Sequence, residues 1–297
     1  MMELLFPKLS GRHLKLSNFA LVIAGIFICL CVPVFNVQAD GLLKQPHWHS
    51  ADKARTLSVA WGDIDNDGDL DLAVGNRRAV NQIYENDGHG QFFIHTLAGG
   101  IHSTKSVAWG DMDNDGDLDL AVGNWVARNQ VYENRGHGQF VLHHLGPENS
   151  KTNSIAWGDI DGDGDLDLAV GNERQFDQIY INEGQSLFTS YNLSDSVRDT
   201  SIIAWGDLDN DGDLDLAVGN RYAPDQLYTN DGQGYFSVSD LNQANNYTTA
   251  MAWGDMDNDG DLDLAVGNRF AVNQIYENDG LGTFTPQDIG NFLGRTT

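Results

Sequence analysis

The sequence predicts an all-β fold, a β-propeller of four-stranded antiparallel blades, on three observations. A block that first reads AWGDIDNDGDLDLAVGN, from Ala60 to Asn76, returns at Ala108, Ala156, Ala204 and Ala252, so five repeats follow one another at a spacing of 48 residues. A fixed period of about 40 to 50 residues marks an architecture built by stacking one supersecondary unit. Within each unit, short stretches of alternating apolar and β-branched residues are separated by Gly, Asn and Asp turns, and no stretch after residue 39 keeps the 3.6-residue apolar period of a helix. Four such stretches per unit is the strand count of a propeller blade.

In the first repeat, strand A is expected over about Thr56 to Gly62, ending in an acidic loop, and strand B over Leu70 to Gly75. Strand C follows over about Gln82 to Asn86, and the turn Asp87-Gly88-His89-Gly90 leads into strand D over about Gln91 to Thr96. The blades then span about 54–101, 102–149, 150–197, 198–245 and 246–293, within a propeller region of 54–297. A single blade cannot bury both faces, so Trp61, Trp109, Trp157, Trp205 and Trp253 are expected to fill the space between neighbours. Thr56, Thr104, Thr152, Thr200 and Thr248 stand in register, Thr296 continues the series, and Arg295-Thr296 echoes Arg55-Thr56. Both a closed five-bladed ring and part of a larger propeller satisfy this pattern.

Residues 1–39 read as a signal peptide. Lys8, Arg12 and Lys15 precede an apolar run from Phe19 to Phe35, and Val37-Gln38-Ala39 offers a cleavage site before Asp40. The alternative is an uncleaved anchor, since the run approaches the shortest length that spans a bilayer. Cleavage would give a secreted, extracellular, cell-surface or periplasmic protein. Residues 40–53 form a lead-in, in which Leu42, Leu43 and Trp48 are candidates to cap a terminal blade. Both cysteines, Cys29 and Cys31, lie in the apolar run, so the processed chain has none and needs a staple other than a disulfide.

The formal charge is −26; without residues 1–39, 14 basic residues face 42 acidic ones, a net of −28. Twenty-five of those acids are the five aspartates of each of five loops, so the charge sits at sites rather than as a solvating coat. Nucleic acid and anionic membrane surfaces are disfavoured as partners, because both need a basic footprint.

The loop itself is D-x-D-x-D-G-x-x-D. With Asp63 as position 1, Asp65 stands at 3, Asp67 at 5, Gly68 at 6, Asp69 at 7 and Asp71 at 9. Carboxylates at 1, 3 and 5 can fold around one ion, the glycine permits the sharp turn, and position 7 can offer its carbonyl oxygen. Calcium takes six to eight oxygens in an irregular cage, whereas magnesium demands tighter octahedral geometry. An EF-hand would place a glutamate at position 12 and continue into a helix. Here position 12 is Val74 in an apolar strand, so Asp71 must close the site.

In these loops the chain resembles the FG-GAP repeat family, also called VCBS repeats, which includes the β-propeller of integrin α subunits. The resemblance covers about Thr56 to Ile289. It implies a calcium ion in each A–B loop, about five in all, with a structural role. The ligands it implies are Asp63, Asp65, Asp67, the Asp69 carbonyl and Asp71 in the first loop, and Asp111, Asp113, Asp115, Asp117 and Asp119 in the second. The third set is Asp159, Asp161, Asp163, Asp165 and Asp167; the fourth is Asp207, Asp209, Asp211, Asp213 and Asp215; the fifth is Asp255, Asp257, Asp259, Asp261 and Asp263. The chain departs from that family in showing five units where seven blades are usual.

Strand alternation puts the A–B loops and C–D turns on one face and the B–C and D–A loops on the other. On that second face the repeats diverge. The B–C loops carry Arg77 and Arg78, then Trp125 and Arg128, Arg174 and Phe176, Arg221 and Tyr222, and Arg269 and Phe270. Arginine and aromatic residues concentrate in binding hot spots, and arginine suits carboxylate partners. A protein or glycan ligand on this face is one reading; the other is that each arginine pairs with a nearby acid and each aromatic covers a blade edge. No catalytic constellation stands out. No histidine recurs through all repeats, the pair His47 and His49 lacks further ligands, and the acids are better explained as ligands than as general acid and base. A non-catalytic interaction or adhesion module is therefore expected, with a lectin, and then a hydrolase or lyase acting in the central channel, as alternatives.

Overall fold

The computed structural model describes residues 53–136 and 138–289, and all of its regular structure is β. The signal-peptide and lead-in expectations, the His47 and His49 pair, Arg295 and Thr296 lie outside the described residues. Blade one comprises β1 (Arg55–Gly62), β2 (Asp71–Ala79), β3 (Gln82–Asn86) and β4 (Phe92–Thr96). Blade two comprises β5 (His102–Gly110), β6 (Asp119–Asn124), β7 (Asn129–Asn134) and β8 (Phe140–Leu145). Blade three comprises β9 (Thr152–Gly158), β10 (Asp167–Gln175), β11 (Gln178–Asn182) and β12 (Phe188–Asn192). Blade four comprises β13 (Arg198–Gly206), β14 (Asp215–Asn220), β15 (Gln226–Asn230) and β16 (Phe236–Asp240). Blade five comprises β17 (Thr248–Gly254), β18 (Asp263–Asn268), β19 (Asn273–Asn278) and β20 (Phe284–Ile289). Each blade is an antiparallel meander, with its A strand toward the inside of the arc and successive A strands packed on one another.

Strand B differs from expectation at both ends. It begins at Asp71 rather than Leu70, and in blade one it runs past Gly75 to Ala79. The extension exists because Arg77 and Ala79 pair with Ser103 and His102 at the start of the next blade, a contact between units that one unit's alternation does not encode. β10 does the same toward β13. Strand D starts at Phe92 rather than Gln91.

The tryptophans do the packing between blades, with one exception. Trp109, Trp157, Trp205 and Trp253 each donate their indole N–H to the carbonyl of Ala60, Ala108, Ala156 and Ala204 in the preceding blade, at 3.1 to 3.3 Å. The glycine after each tryptophan has a steric reason: a Cβ at Gly110 would lie 2.7 Å from the Trp157 ring. Gly254, at the same place in blade five, has nothing within 4 Å, and among the described residues Trp61 has no preceding blade to enter and is 49% exposed. Trp61 therefore does not fill an inter-blade space, contrary to the expectation. Among the described residues no strand of blade five packs extensively on blade one, so both end faces are open.

A second inter-blade device lies toward the other end of the blades. The Asn76 N–H donates to Asn81 Oδ1, Asn81 Nδ2 donates to Thr104 Oγ1, and Thr104 donates onward to Asn124 Oδ1, each at 2.8 Å. The same relay links blades two and three through Asn129 and Thr152. This accounts for the in-register threonines: Thr104, Thr152, Thr200 and Thr248 are completely buried. At the next two junctions an aspartate replaces the asparagine, and Thr200 donates to Asp177 Oδ2 at 2.7 Å while Thr248 donates to Asp225 Oδ2 at 2.8 Å. One hydroxyl hydrogen cannot serve two acceptors, and the contacts from Thr200 to Asn220 and from Thr248 to Asn268 lengthen to 3.2 and 3.1 Å. Burial pushes the Asp177 carboxyl up to about 7 and raises that of Asp225.

Candidate metal centres and the opposite face

Each acidic loop joins the A and B strands of one blade. Its fourth residue adopts a left-handed conformation, with φ of 59° at Asn66, 56° at Asn114, 59° at Asn210 and 63° at Asn258, and Gly162 takes the place in loop three at 74°. Asparagine and glycine are the residues that reach this region at least cost. The turn brings backbone donors onto the carboxylates. Asp67 N donates to Asp63 Oδ1 at 3.1 Å, Gly68 N to Asp63 Oδ2 at 3.0 Å and Asp69 N to Asp67 Oδ1 at 2.9 Å.

Carboxylate oxygens converge in every loop. In three loops positions 1, 3 and 9 approach within 4.8 Å of one another: Asp63, Asp65 and Asp71; Asp159, Asp161 and Asp167; Asp207, Asp209 and Asp215. In the other two, positions 1, 3 and 5 do so: Asp111, Asp113 and Asp115, and Asp255, Asp257 and Asp259. The fold thus brings together the carboxylates at positions 1 and 3 everywhere and adds either 5 or 9. Position 7 stays outside: a Cβ at Gly88, Gly232 or Gly280 would collide with the carboxylate of Asp69, Asp213 or Asp261, which lies over the C–D turn. Only its backbone carbonyl is left to face an ion.

The position 9 aspartates are fixed most firmly. Asp71 accepts from Ile64 N at 2.8 Å and from Asn86 N at 2.7 Å, and its four equivalents accept the same pair of donors. All five are buried. Desolvation, opposed by the two backbone donors and reinforced by neighbouring aspartates, pushes Asp119, Asp167 and Asp215 up to about 7. Desolvation also raises Asp65, Asp113, Asp161 and Asp209 at position 3, with the position 5 carboxylate next in effect. In loop four Asp207 Oδ1 and Asp209 Oδ1 are buried without a hydrogen-bond partner. A set made only of hard oxygens, short of positive charge and with orphaned acceptors, fits a calcium ion.

Two sets of contacts at this end join one blade to the next and had no signature in a single repeat. Asn134, at the end of strand C, donates through Nδ2 to Ile64 O in the preceding loop at 2.9 Å, and Asn182, Asn230 and Asn278 do likewise. Asn66 Nδ2 reaches forward to Gly116 O at 3.2 Å and Asp117 Oδ1 at 2.8 Å. Their partners are 50 to 70 residues away, in the neighbouring repeat.

On the opposite face several sequence-selected residues already have partners within the chain. The Arg221 guanidinium lies 3.3 Å from Glu173 and 3.6 Å from Asp199 and stands over the Tyr247 ring. Arg174 reaches Asp199 at 3.4 Å, Arg128 reaches Glu148 at 3.7 Å, and Arg269 stacks on Tyr247 and Phe270. Trp125 forms a bridge to Lys151, and Arg77 pairs along the backbone with Ser103. The loop tips point outward: Arg78 and Arg174 are exposed, Phe176 is at the margin of exposure, and Tyr222 and Phe270 are 68% and 88% exposed. The tip residue is left-handed in every repeat, at Arg78, Val126, Arg174, Tyr222 and Phe270. Burial, and then the neighbouring Arg221 guanidinium, lower the pKa of Lys105, with Glu173 opposing and Arg77 and Arg55 adding to the shift, so several cationic side chains lie near one another here.

Comparison with known proteins agrees with this architecture. Among curated proteins none matches the sequence significantly. Among solved structures, the crystal structure of BBS1N in complex with ARL6DN, soaked with lead, is similar at a TM-score of 0.53 and 17% identity, covering 79% of this chain and 67% of that one. The crystal structure of Chaetomium thermophilum Raptor is similar at 0.52 and 12%, covering 80% of this chain, which spans only 21% of that protein. Both likenesses are of fold alone. The FG-GAP-like repeat family matches over residues 63–122, 119–170, 159–218 and 207–266, beginning each time at or near an acidic loop and together covering more than half of the sequence, and the chain belongs to that family.

Proposed function

We propose that the protein is a non-catalytic, calcium-stabilised β-propeller module of the cell exterior that binds a protein or glycan through its B–C loop face. The observation that carries the calcium reading is the convergence of the position 1 and 3 carboxylates in all five loops, joined by the buried position 9 aspartate in three and by position 5 in two. Like charges packed this closely repel unless a cation lies among them. Asp63, Asp65, Asp67 and Asp71, the Asp69 carbonyl, and their equivalents would hold the ions, about five per chain. The ion's role is to tie the A–B hairpin and neutralise its charge. The partner reading rests on outward aromatic tips beside arginines, a combination suited to a ligand bearing carboxylates. A lectin is the second reading, favoured by the exposure of Tyr222 and Phe270, since flat aromatic faces can stack on sugar rings.

Calorimetric titration of metal-stripped protein tests the first part, with uptake of about five calcium ions expected; absence of heat and of stoichiometric uptake would sink it. A glycan array and a protein-binding screen, each with and without calcium, separate the two partner readings.

A further inference from the structure

We infer that Asn66, Asn114 and Asn210 couple the metal loops of adjacent blades, so that the calcium sites act as a linked group of three and a linked group of two. This inference rests on the calcium reading of the loops. Each of these asparagines sits at position 4 of its loop, between the ligand carboxylates at positions 3 and 5. Its side chain leaves its own loop and grips the next one. Asn66 Nδ2 donates to Gly116 O and Asp117 Oδ1, as above; Asn114 Nδ2 donates to Gly164 O at 3.0 Å and Asp165 Oδ1 at 2.8 Å; Asn210 Nδ2 donates to Asp261 Oδ1 at 2.6 Å. The grip falls on the position 7 carboxylate, and from Asn66 and Asn114 also on the position 6 carbonyl, so it holds the stretch of loop whose position 7 carbonyl a bound ion would need. Wrapping one loop around an ion fixes its left-handed asparagine, and that asparagine then holds the neighbouring loop in its ion-ready shape.

Loop three breaks the chain. Its position 4 is Gly162, which has no side chain to reach Asp213 in loop four. Loop four is also the one in which Asp207 Oδ1 and Asp209 Oδ1 are buried without a donor. The strut from strand C is present at this junction, from Asn230 Nδ2 to Ile160 O at 2.7 Å. That strut holds position 2 and lies on strand-anchored backbone, so it is the same at every junction and creates no grouping. Sites one to three are therefore joined through two asparagines and sites four and five through one. Coupling between binding sites is reciprocal, so each member of a group raises the affinity of its neighbour.

Native mass spectrometry across a calcium titration tests this on the wild type, N114G and G162N. Glycine keeps the left-handed turn at position 114, so the variant removes only the side chain's reach. In the wild type, species with one or two ions should be under-populated relative to independent sites. N114G removes two hydrogen bonds and should weaken binding at the linked sites at least about fivefold, the size of one typical bond's net contribution, and restore independent-site populations between loops two and three. G162N should add cooperativity by joining the two groups. Five ions taken up with populations unchanged in both variants would overturn the coupling and leave the calcium sites standing. Uptake of no ions would overturn both. Circular dichroism of each variant confirms that the fold is retained.

Discussion

The two ends of the blades solve the same problem with different materials. At the metal-loop end, five nearly identical loops crowd carboxylates together, and order depends on backbone donors, on neighbouring asparagines and, by our proposal, on ions. At the opposite end, neutral and acidic side chains close each junction through a threonine hydroxyl, and the loop tips vary from blade to blade. On the calcium reading, the first end cannot change its aspartates without unbalancing the charge around its ions. The second carries its structural work in buried Asn, Asp and Thr side chains, which leaves the tips above them free to differ.

Removing the ion should break this contrast most strongly. At a hundredfold excess over Kd, one calcium site stabilises the fold by about 2.7 kcal/mol, and five such sites act on one propeller. Differential scanning calorimetry with excess calcium and then with EDTA should show a drop in Tm of well over ten degrees. A melting curve unmoved by EDTA would mean that backbone donors alone hold the metal end, and that the two ends do not differ in kind.

Next in size is the tryptophan that seals a junction beside a metal loop. Trp205 is buried between blades three and four and bonds to Ala156 O, so Trp205→Ala should cost about 3–5 kcal/mol in urea denaturation. Trp61, half exposed on the open face of blade one, should cost about 1 kcal/mol or less when changed to alanine, as surface positions do. Equal costs would mean that the open face of blade one is covered in solution.

The third prediction separates junctions within the opposite end. Asp177 carries its proton up to about 7 in the fold but releases it near 3.8 when unfolded. Between those values the folded state holds the extra proton, so stability falls as pH rises through this window and levels off above it. A proton on Asp177 also lets Thr200 turn its hydrogen to Asn220, as Thr104 does to Asn124. Arg198, which pairs with Asp240, is the charged group facing this site and moderates the effect. Asp177→Asn reproduces the Asn81 junction. In excess calcium, the variant should match the wild type near pH 4 and exceed it at pH 8; parallel stability curves would refute the titration.

The fold was legible in the sequence because its signals repeat. Alternation placed the four strands of each unit to within a few residues, and Trp109 to Trp253 announced the blade contacts. What was not legible lies between units. The run of β2 to Ala79, the reach of Asn134 to Ile64 and the grip of Asn66 on Asp117 all depend on how one blade sits on the next. Sequence spacing also placed Asp71 as a ligand without showing that both its oxygens already accept backbone donors. Nor did it show that position 7 turns its carboxylate toward the C–D glycine.

The smallest stability effect is expected where the opposite end is most variable. A left-handed backbone strains every residue but glycine and asparagine, and β-branched ones most. All five B–C tips adopt it, yet none is glycine, and Val126 is β-branched. Glycine would suit the backbone better, so the side chains there are retained at a cost to stability. Tyr222 tests this: it is exposed, has a φ of 59°, and its side chain meets the Tyr247 ring at a tilt, 5.4 Å between centroids. Tyr222→Gly should relieve strain and lose one ring contact, leaving stability within about 0.5 kcal/mol of the wild type, while binding of a partner identified by array or screen weakens at least tenfold. Loss of fold with binding would place Tyr222 among the blade contacts and return the aromatic tips to a structural role.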